Sequence, residues 1–141
     1  MKRKASATWR GGLKDGRGAI SSDSGVLSET QYSFSTRFEN GKGTNPEELL
    51  AAAHAGCFAM ALSAQLGEAG ITPEQLDVTA TVTLGKDATG FAITESHLDL
   101  NAHIPGAGKA AFDIAVNAAK TGCPVSKLFN TNITLEAKLN S

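Results

Sequence analysis

The chain has 141 residues, with 13 Lys and Arg against 14 Asp and Glu and a formal net charge of -1. That length suits one domain with a real core and no disulfide staples, and the mixed charge offers nothing to attract nucleic acid or an acidic surface. No apolar run is read as approaching the roughly 18–20 residues of a membrane span, and the basic start Met1-Lys2-Arg3-Lys4 leads into polar Ser6-Ala7-Thr8-Trp9, not a signal-peptide core, so the cytosol is expected.

The first forty-odd residues read as strands joined by turns at Gly11-Gly12, Asp15-Gly16 and Ser24-Gly25. Tyr32, Phe34, Thr36 and Phe38 alternate with Ser33, Ser35 and Arg37, which predicts a strand with Arg37 turned from the aromatic face. A long helix is expected from Thr44-Asn45-Pro46. Asn45 suits the cap, Pro46 the first helical position, and Glu48 completes a capping-box-like pattern. It runs to about Gly70, and its nearly uncharged stretch from Leu49 to Gly67 predicts burial on most sides. Val78, Ala80, Val82 and Leu84 alternate cleanly, and a turn at Lys86 to Gly90 returns the chain. In the return strand Phe91 and Ile93 hold one parity and Leu98, Leu100, Ala102 and Ile104 the other, so a bulge is expected near Glu95-Ser96-His97. A second helix from Lys109 to Lys120, a break at Gly122, a short helix from Pro124 and a closing strand Ile133 to Leu139 complete an α+β chain with a mainly antiparallel sheet.

Only two cysteines occur, Cys57 and Cys123. In a cytosolic protein such a pair is more often catalytic, redox-sensing or metal-binding than a structural staple. On local grounds Cys123 is the better activated. Pro124 places it at the cap of a new helix, where free N–H groups favour a thiolate, whereas mid-helix Cys57 needs a neighbouring cation. A buried helical cysteine is also commonly just a small hydrophobe. His54 lies one turn before Cys57 on the same face, a spacing that hints at a metal or a Cys–His nucleophile. A zinc site there lacks ligands, because only His97 and His103 remain and both fall on a strand. Phe58, Met60, Leu62, Leu49 and Phe129 read as core, some lining an apolar pocket.

Arg37-Phe38-Glu39, Gly43-Thr44-Asn45-Pro46-Glu47-Glu48-Leu49, Ala52-Ala53-His54-Ala55-Gly56-Cys57-Phe58 and Gly122-Cys123-Pro124-Val125-Ser126 together closely resemble the OsmC/Ohr family of thiol peroxidases, in its OsmC branch. The resemblance spans Trp9 to Leu139. It implies a single OsmC-like domain over residues 1–141, a sheet packed on two central helices, and an intertwined homodimer. It also implies a peroxidase that prefers organic hydroperoxides to hydrogen peroxide and protects against oxidative stress. Cys57 would be the peroxidatic cysteine, Cys123 the resolving one, and Arg37 with Glu47 the ion pair supporting the thiolate. No bound cofactor is implied; the reductant is an external dithiol, of lipoyl type by the resemblance. Gly56 stands where such sequences often carry alanine, which suggests looser packing beside Cys57.

Helix geometry adds an expectation of its own. Glu47 and Cys57 lie about 15 Å apart along one straight helix. Either the helix breaks between them, or Glu47 of one chain serves Cys57 of another. Ala51-Ala52-Ala53 and Ala55-Gly56 favour a close antiparallel crossing of two helices, and hence composite sites at a two-fold interface. Arg17 in Gly16-Arg17-Gly18 stays a rival to Arg37, with Arg37 preferred; Arg37 also has a plain reading as a solvated strand residue, and Glu47 one as a helix-dipole partner. A non-turnover redox sensor and a small-molecule-binding dimer remain the competing functions.

Overall fold

The computed structural model describes residues 1–141. Its contacts gather into two compact units, residues 1–49 and 50–141.

In the first unit, β1 (Ala5–Arg10), β2 (Arg17–Ser22) and β3 (Thr30–Tyr32) form an antiparallel sheet in that order. Trp9 pairs with Gly18, and the Trp9 and Tyr32 rings lie 5.5 Å apart across that position. A Cβ on Gly18 would collide with the Tyr32 ring, so only glycine lets the aromatic pair close over β2. After Tyr32 the expected strand does not continue. Phe34–Phe38 is a short helix, α1, opened by a capping box in which Ser33 Oγ accepts from Thr36 N–H (3.3 Å) and Thr36 Oγ1 accepts from Ser33 N–H (2.8 Å). The aromatic spacing that reads as alternation is also an i, i+4 helical pair, and the Phe34 and Phe38 rings meet at a tilt of 41° with centroids 4.8 Å apart. Ser33 and Thr36 satisfy the orphan donors of a first turn, which decides the ambiguity for helix. Arg37 therefore sits in the last turn of a helix, not on a strand.

α2 (Pro46–Glu68) starts as expected, with Asn45 Oδ1 accepting from Glu48 N–H at 2.8 Å. The Glu48 carboxylate, however, accepts from Thr44 Oγ1 at 2.6 Å. The helix is unbroken over 23 residues. Its most apolar 18-residue window has a mean hydropathy of 1.5, so it is long and apolar enough to cross a membrane, against the sequence expectation. The alanines account for this, because they raise hydropathy without supplying bulky side chains.

The second unit pairs β4 (Gln75–Asp87) with β5 (Gly90–His103) antiparallel, and β5 with β6 (Asn132–Asn140) parallel. The parallel pairing needs a long crossover, supplied by α3 (Lys109–Gly122) and α4 (Pro124–Leu128). The bulge exists but lies one residue earlier than expected. Thr83 pairs with Glu95 and Leu84 with Ile93, leaving Thr94 unpaired. Leu98, Leu100 and Ala102 of β5 then face Phe58, Leu62 and Leu66 of α2 and Phe112, Ala115, Val116 and Ala119 of α3 in one core. Two helices on one face of a sheet is the expected α+β arrangement.

α2 departs from its expected burial. His54, Phe58, Leu62 and Leu66, spaced by four, form its one fully buried stripe. Ala52, Ala53, Gly56, Ala64 and Met60 are exposed, Met60 at 78 %, although Met60 reads as core in the sequence. One sheet can cover only one face of a helix, so the remaining apolar faces stay open within the chain. A Cβ on Gly56 would meet nothing within 4 Å, so this glycine loosens no packing inside the chain.

Candidate functional site

Within residues 50–141 the structure brings both cysteines together. Cys57 is half-buried on α2 and Cys123 is fully buried, and both are free thiols. Cys123 caps α4, as its position before Pro124 predicts, and its Sγ accepts from Ser126 N–H at 3.3 Å. Pro124 has no N–H to offer. The next donor, Val125 N–H, lies near enough to Cys57 to draw its pKa down. Burial pushes the Cys57 thiol up from its ordinary value, the Val125 N–H draws it down, and the adjacent Cys123 thiol pushes it up again. Nothing within this unit activates Cys57 on balance, which agrees with the sequence argument that it needs a cation.

A buried hydrogen-bonded chain continues from Cys123. Its Sγ donates to Ser126 Oγ at 3.2 Å, Ser126 Oγ lies 2.8 Å from His54 Nε2, and His54 Nδ1 lies 2.6 Å from Ser96 Oγ. The Phe129 ring meets the imidazole edge-on at 5.0 Å. Burial lowers the His54 pKa from 6.5, so the ring is neutral at pH 7. Both its nitrogens are occupied by serine hydroxyls, so neither is free for a metal. Elsewhere, His97, Asp99 and Glu136 offer donor atoms within 4.8 Å of one another on β5 and β6.

Sequence reasoning passed over Ser96. Its signal was parity: it falls in register with Leu98, Leu100 and Ala102, and a lone hydroxyl on a buried face requires a partner. A stability consequence follows from His54. Because its folded pKa lies below its unfolded one, its contribution is present above about pH 6.5 and is lost as pH falls through the folded value. Urea unfolding at pH 7 and pH 5 should show lower stability at pH 5, with a smaller loss in His54→Gln.

Within residues 1–49 the structure joins Arg37 to Glu47. Arg37 Nη2 donates to Glu47 Oε1 at 2.8 Å, and Nε donates to both carboxylate oxygens at 3.2 and 3.3 Å. The Glu47 side chain is only 10 % exposed and that of Arg37 39 %, so the guanidinium is braced on one edge and open on the other. Arg37 also borders an apolar pocket of about 300 Å³ lined by Trp9, Leu13, Tyr32, Phe34, Phe38 and Pro46. Arg17 borders a different cleft, with Asp15, Arg10 and Glu29, and makes no ion pair.

The OsmC-like protein family profile matches residues 39–138. Peroxiredoxin OsmC of Escherichia coli (strain K12) is 51 % identical over 139 residues, covering 99 % of this chain and 97 % of that protein. The organic hydroperoxide resistance protein of Xanthomonas axonopodis pv. citri (strain 306) is 32 % identical over 136 residues, 96 % of this chain and 92 % of that protein. The crystal structure of the organic hydroperoxide resistance protein OhrB of Bacillus subtilis superposes with a TM-score of 0.68 at 31 % identity, covering 97 % of this chain and 98 % of that one. With profile, sequence and fold in agreement over nearly its whole length, the chain belongs to the OsmC-like protein family.

Proposed function

We propose that this protein is a thiol-dependent peroxidase that reduces organic hydroperoxides to alcohols, and hydrogen peroxide less well, as a defence against oxidative stress. The observation that carries this reading is the pair of free cysteines side by side, with Cys123 at the cap of α4 accepting a backbone N–H. The Cys57 thiolate attacks the outer peroxide oxygen, the O–O bond breaks, and the alkoxide leaves and is protonated to the alcohol. Cys57 is left as a sulfenic acid. Cys123 condenses with it, releasing water and closing a disulfide, and an external dithiol of lipoyl type opens that disulfide by exchange. The chemistry uses sulfur alone and needs no prosthetic group. The apolar pocket beside Arg37 suits the carbon skeleton of an organic substrate, which hydrogen peroxide lacks.

Arg37 and Glu47 supply the missing cation. Arg37 lowers the Cys57 pKa and takes up charge on the departing oxygen, while Glu47 holds the guanidinium in place. α2 has no break that would fold Glu47 back to Cys57. The pair therefore serves Cys57 of a second copy, across a two-fold axis between α2 helices. The open apolar face at Ala52, Ala53, Gly56 and Met60 supports this homodimer, because small residues allow close helix approach. Residues 1–141 act as one OsmC-like domain completed by its partner, in the cytosol.

The test is dithiol-dependent consumption of cumene hydroperoxide and hydrogen peroxide, side by side. Faster turnover of the organic peroxide is the expected result. Disulfide formation without turnover would instead make the protein a redox sensor.

A further inference from the structure

The peroxide step leaves His54 without a task, although it is a titratable side chain with no exposed surface. Cys123 has a matching problem. It resolves a sulfenic acid only as a thiolate, yet it is fully buried, so at neutral pH no water stands beside it to take its proton readily. The atom facing the thiol proton is Ser126 Oγ at 3.2 Å, and Ser126 has a single hydroxyl proton to pass on, towards His54 Nε2 at 2.8 Å. The buried polar side chains of residues 50–141 are His54, Ser96 and Ser126, and of these only His54 has a basic nitrogen.

The directions of these bonds are mutually determined. With Cys123 as a thiol, S–H donates to Ser126 Oγ, Ser126 O–H donates to Nε2, and the ring proton sits on Nδ1 and donates to Ser96 Oγ at 2.6 Å. Moving each proton one step along the chain produces the complementary state without moving a heavy atom. Nε2–H then donates to Ser126 Oγ, and Ser126 O–H donates to a Cys123 thiolate. That thiolate keeps the Ser126 backbone N–H at 3.3 Å.

We infer that His54, through Ser126, is the proton acceptor that ionises Cys123 for attack on the Cys57 sulfenic acid, with Ser96 holding the imidazole in the tautomer this requires. The inference rests on the peroxidase reading above. In the step, the Cys123 S–H bond breaks and its proton enters the relay as a hydroxyl proton reaches Nε2. The Cys123 sulfur attacks Cys57 Sγ, the S–S bond forms and the Cys57 S–O bond breaks. Hydroxide leaves and becomes water with the proton that His54 gives back. Cys123 is oxidised to the disulfide level and the Cys57 sulfenic acid reduced to it, so no further oxidant or reductant enters.

The surroundings suit a transient base. Besides His54, the one titratable group in this hydrogen-bonded relay is Cys123 before α4, with Cys57 of α2 next to it; β5 and α4 present only the two serine hydroxyls, and Phe129 presents a ring edge. No charge faces the imidazole. It is neutral when the step begins, and the imidazolium is disfavoured enough to release its proton once the S–S bond has formed.

The experiment is a single turnover with one equivalent of cumene hydroperoxide and no dithiol, on the full-length wild type, His54→Gln and Ser126→Ala. Peroxide consumption reports the first step. Capture of Cys57 sulfenic acid by dimedone and loss of free thiols report the second. Disulfide closure at neutral pH should slow in both variants by about ten- to hundredfold more than peroxide consumption slows, and dimedone capture should rise. Raising the pH should restore closure, because Cys123 then ionises without a base. Wild-type closure rates in the variants would overturn the inference. So would slow closure that high pH fails to restore, since that marks a displaced Cys123. If His54→Gln does not fold, Ser126→Ala alone decides, as it removes one oxygen. A wild type that consumes no peroxide would overturn the peroxidase reading and this inference together. Normal peroxide uptake with normal closure in the variants would overturn this inference alone.

Discussion

Replacing Cys57 with serine should reduce dithiol-dependent consumption of cumene hydroperoxide by about three orders of magnitude or more, because the nucleophile contributes most of the rate in covalent catalysis. Replacing Cys123 should give a different signature. The first equivalent of peroxide would still be consumed at a rate close to wild type, and turnover would then stall with Cys57 as a sulfenic acid that oxidises further in excess peroxide. The two variants assign the two cysteines independently, which matters because local structure pulls the other way. Cys123 caps α4 and accepts an N–H, whereas burial raises the Cys57 pKa. If Cys123→Ser abolished the first equivalent and Cys57→Ser did not, the roles would be reversed. Total thiol loss and mass spectrometry of each cysteine after one equivalent of peroxide make the comparison.

Mixing two inactive variants should restore activity if the sites are composite. Cys57→Ser retains the Arg37–Glu47 pair, and Glu47→Ala retains Cys57. After mixed refolding, half of the dimers are heterodimers and each has one of its two sites whole, so activity should return to about a quarter of wild type from near zero. No recovery would show that the ion pair serves its own chain. The Glu47→Ala homodimer carries a second readout. With Arg37 unbraced, the pH at which iodoacetamide alkylates Cys57 should move up, towards the raised value that burial and the neighbouring Cys123 impose. An unchanged profile would mean that Arg37 does not reach the thiolate.

The loss of the predicted strand at Phe34–Phe38 shows where local patterns run out. A run of alternating aromatics fits both a strand and an i, i+4 helical pair, and the Ser33–Thr36 capping box, only one turn long, decides between them. The β5 bulge was legible because a change of parity must be absorbed somewhere, although pairing with β4 places it at Thr94. Met60 illustrates a different limit. Apolarity predicts that a side chain needs cover, not that its own chain supplies it.

By itself, the sequence determined the α+β class, the cap and length of α2, the helix start at Pro124, the two cysteines and the family. These follow from spacing, capping and motifs that act over a few residues. Only the tertiary structure decided that Cys57 and Cys123 lie side by side, that Arg37 meets Glu47 from a helix and not from a strand, and that His54 lies between Ser96 and Ser126. The histidine and its two serines lie 42 and 72 positions apart along the chain. No periodicity reaches that far. What brings them together is the packing of α2 on β5 and α4, where every buried polar atom must find a partner.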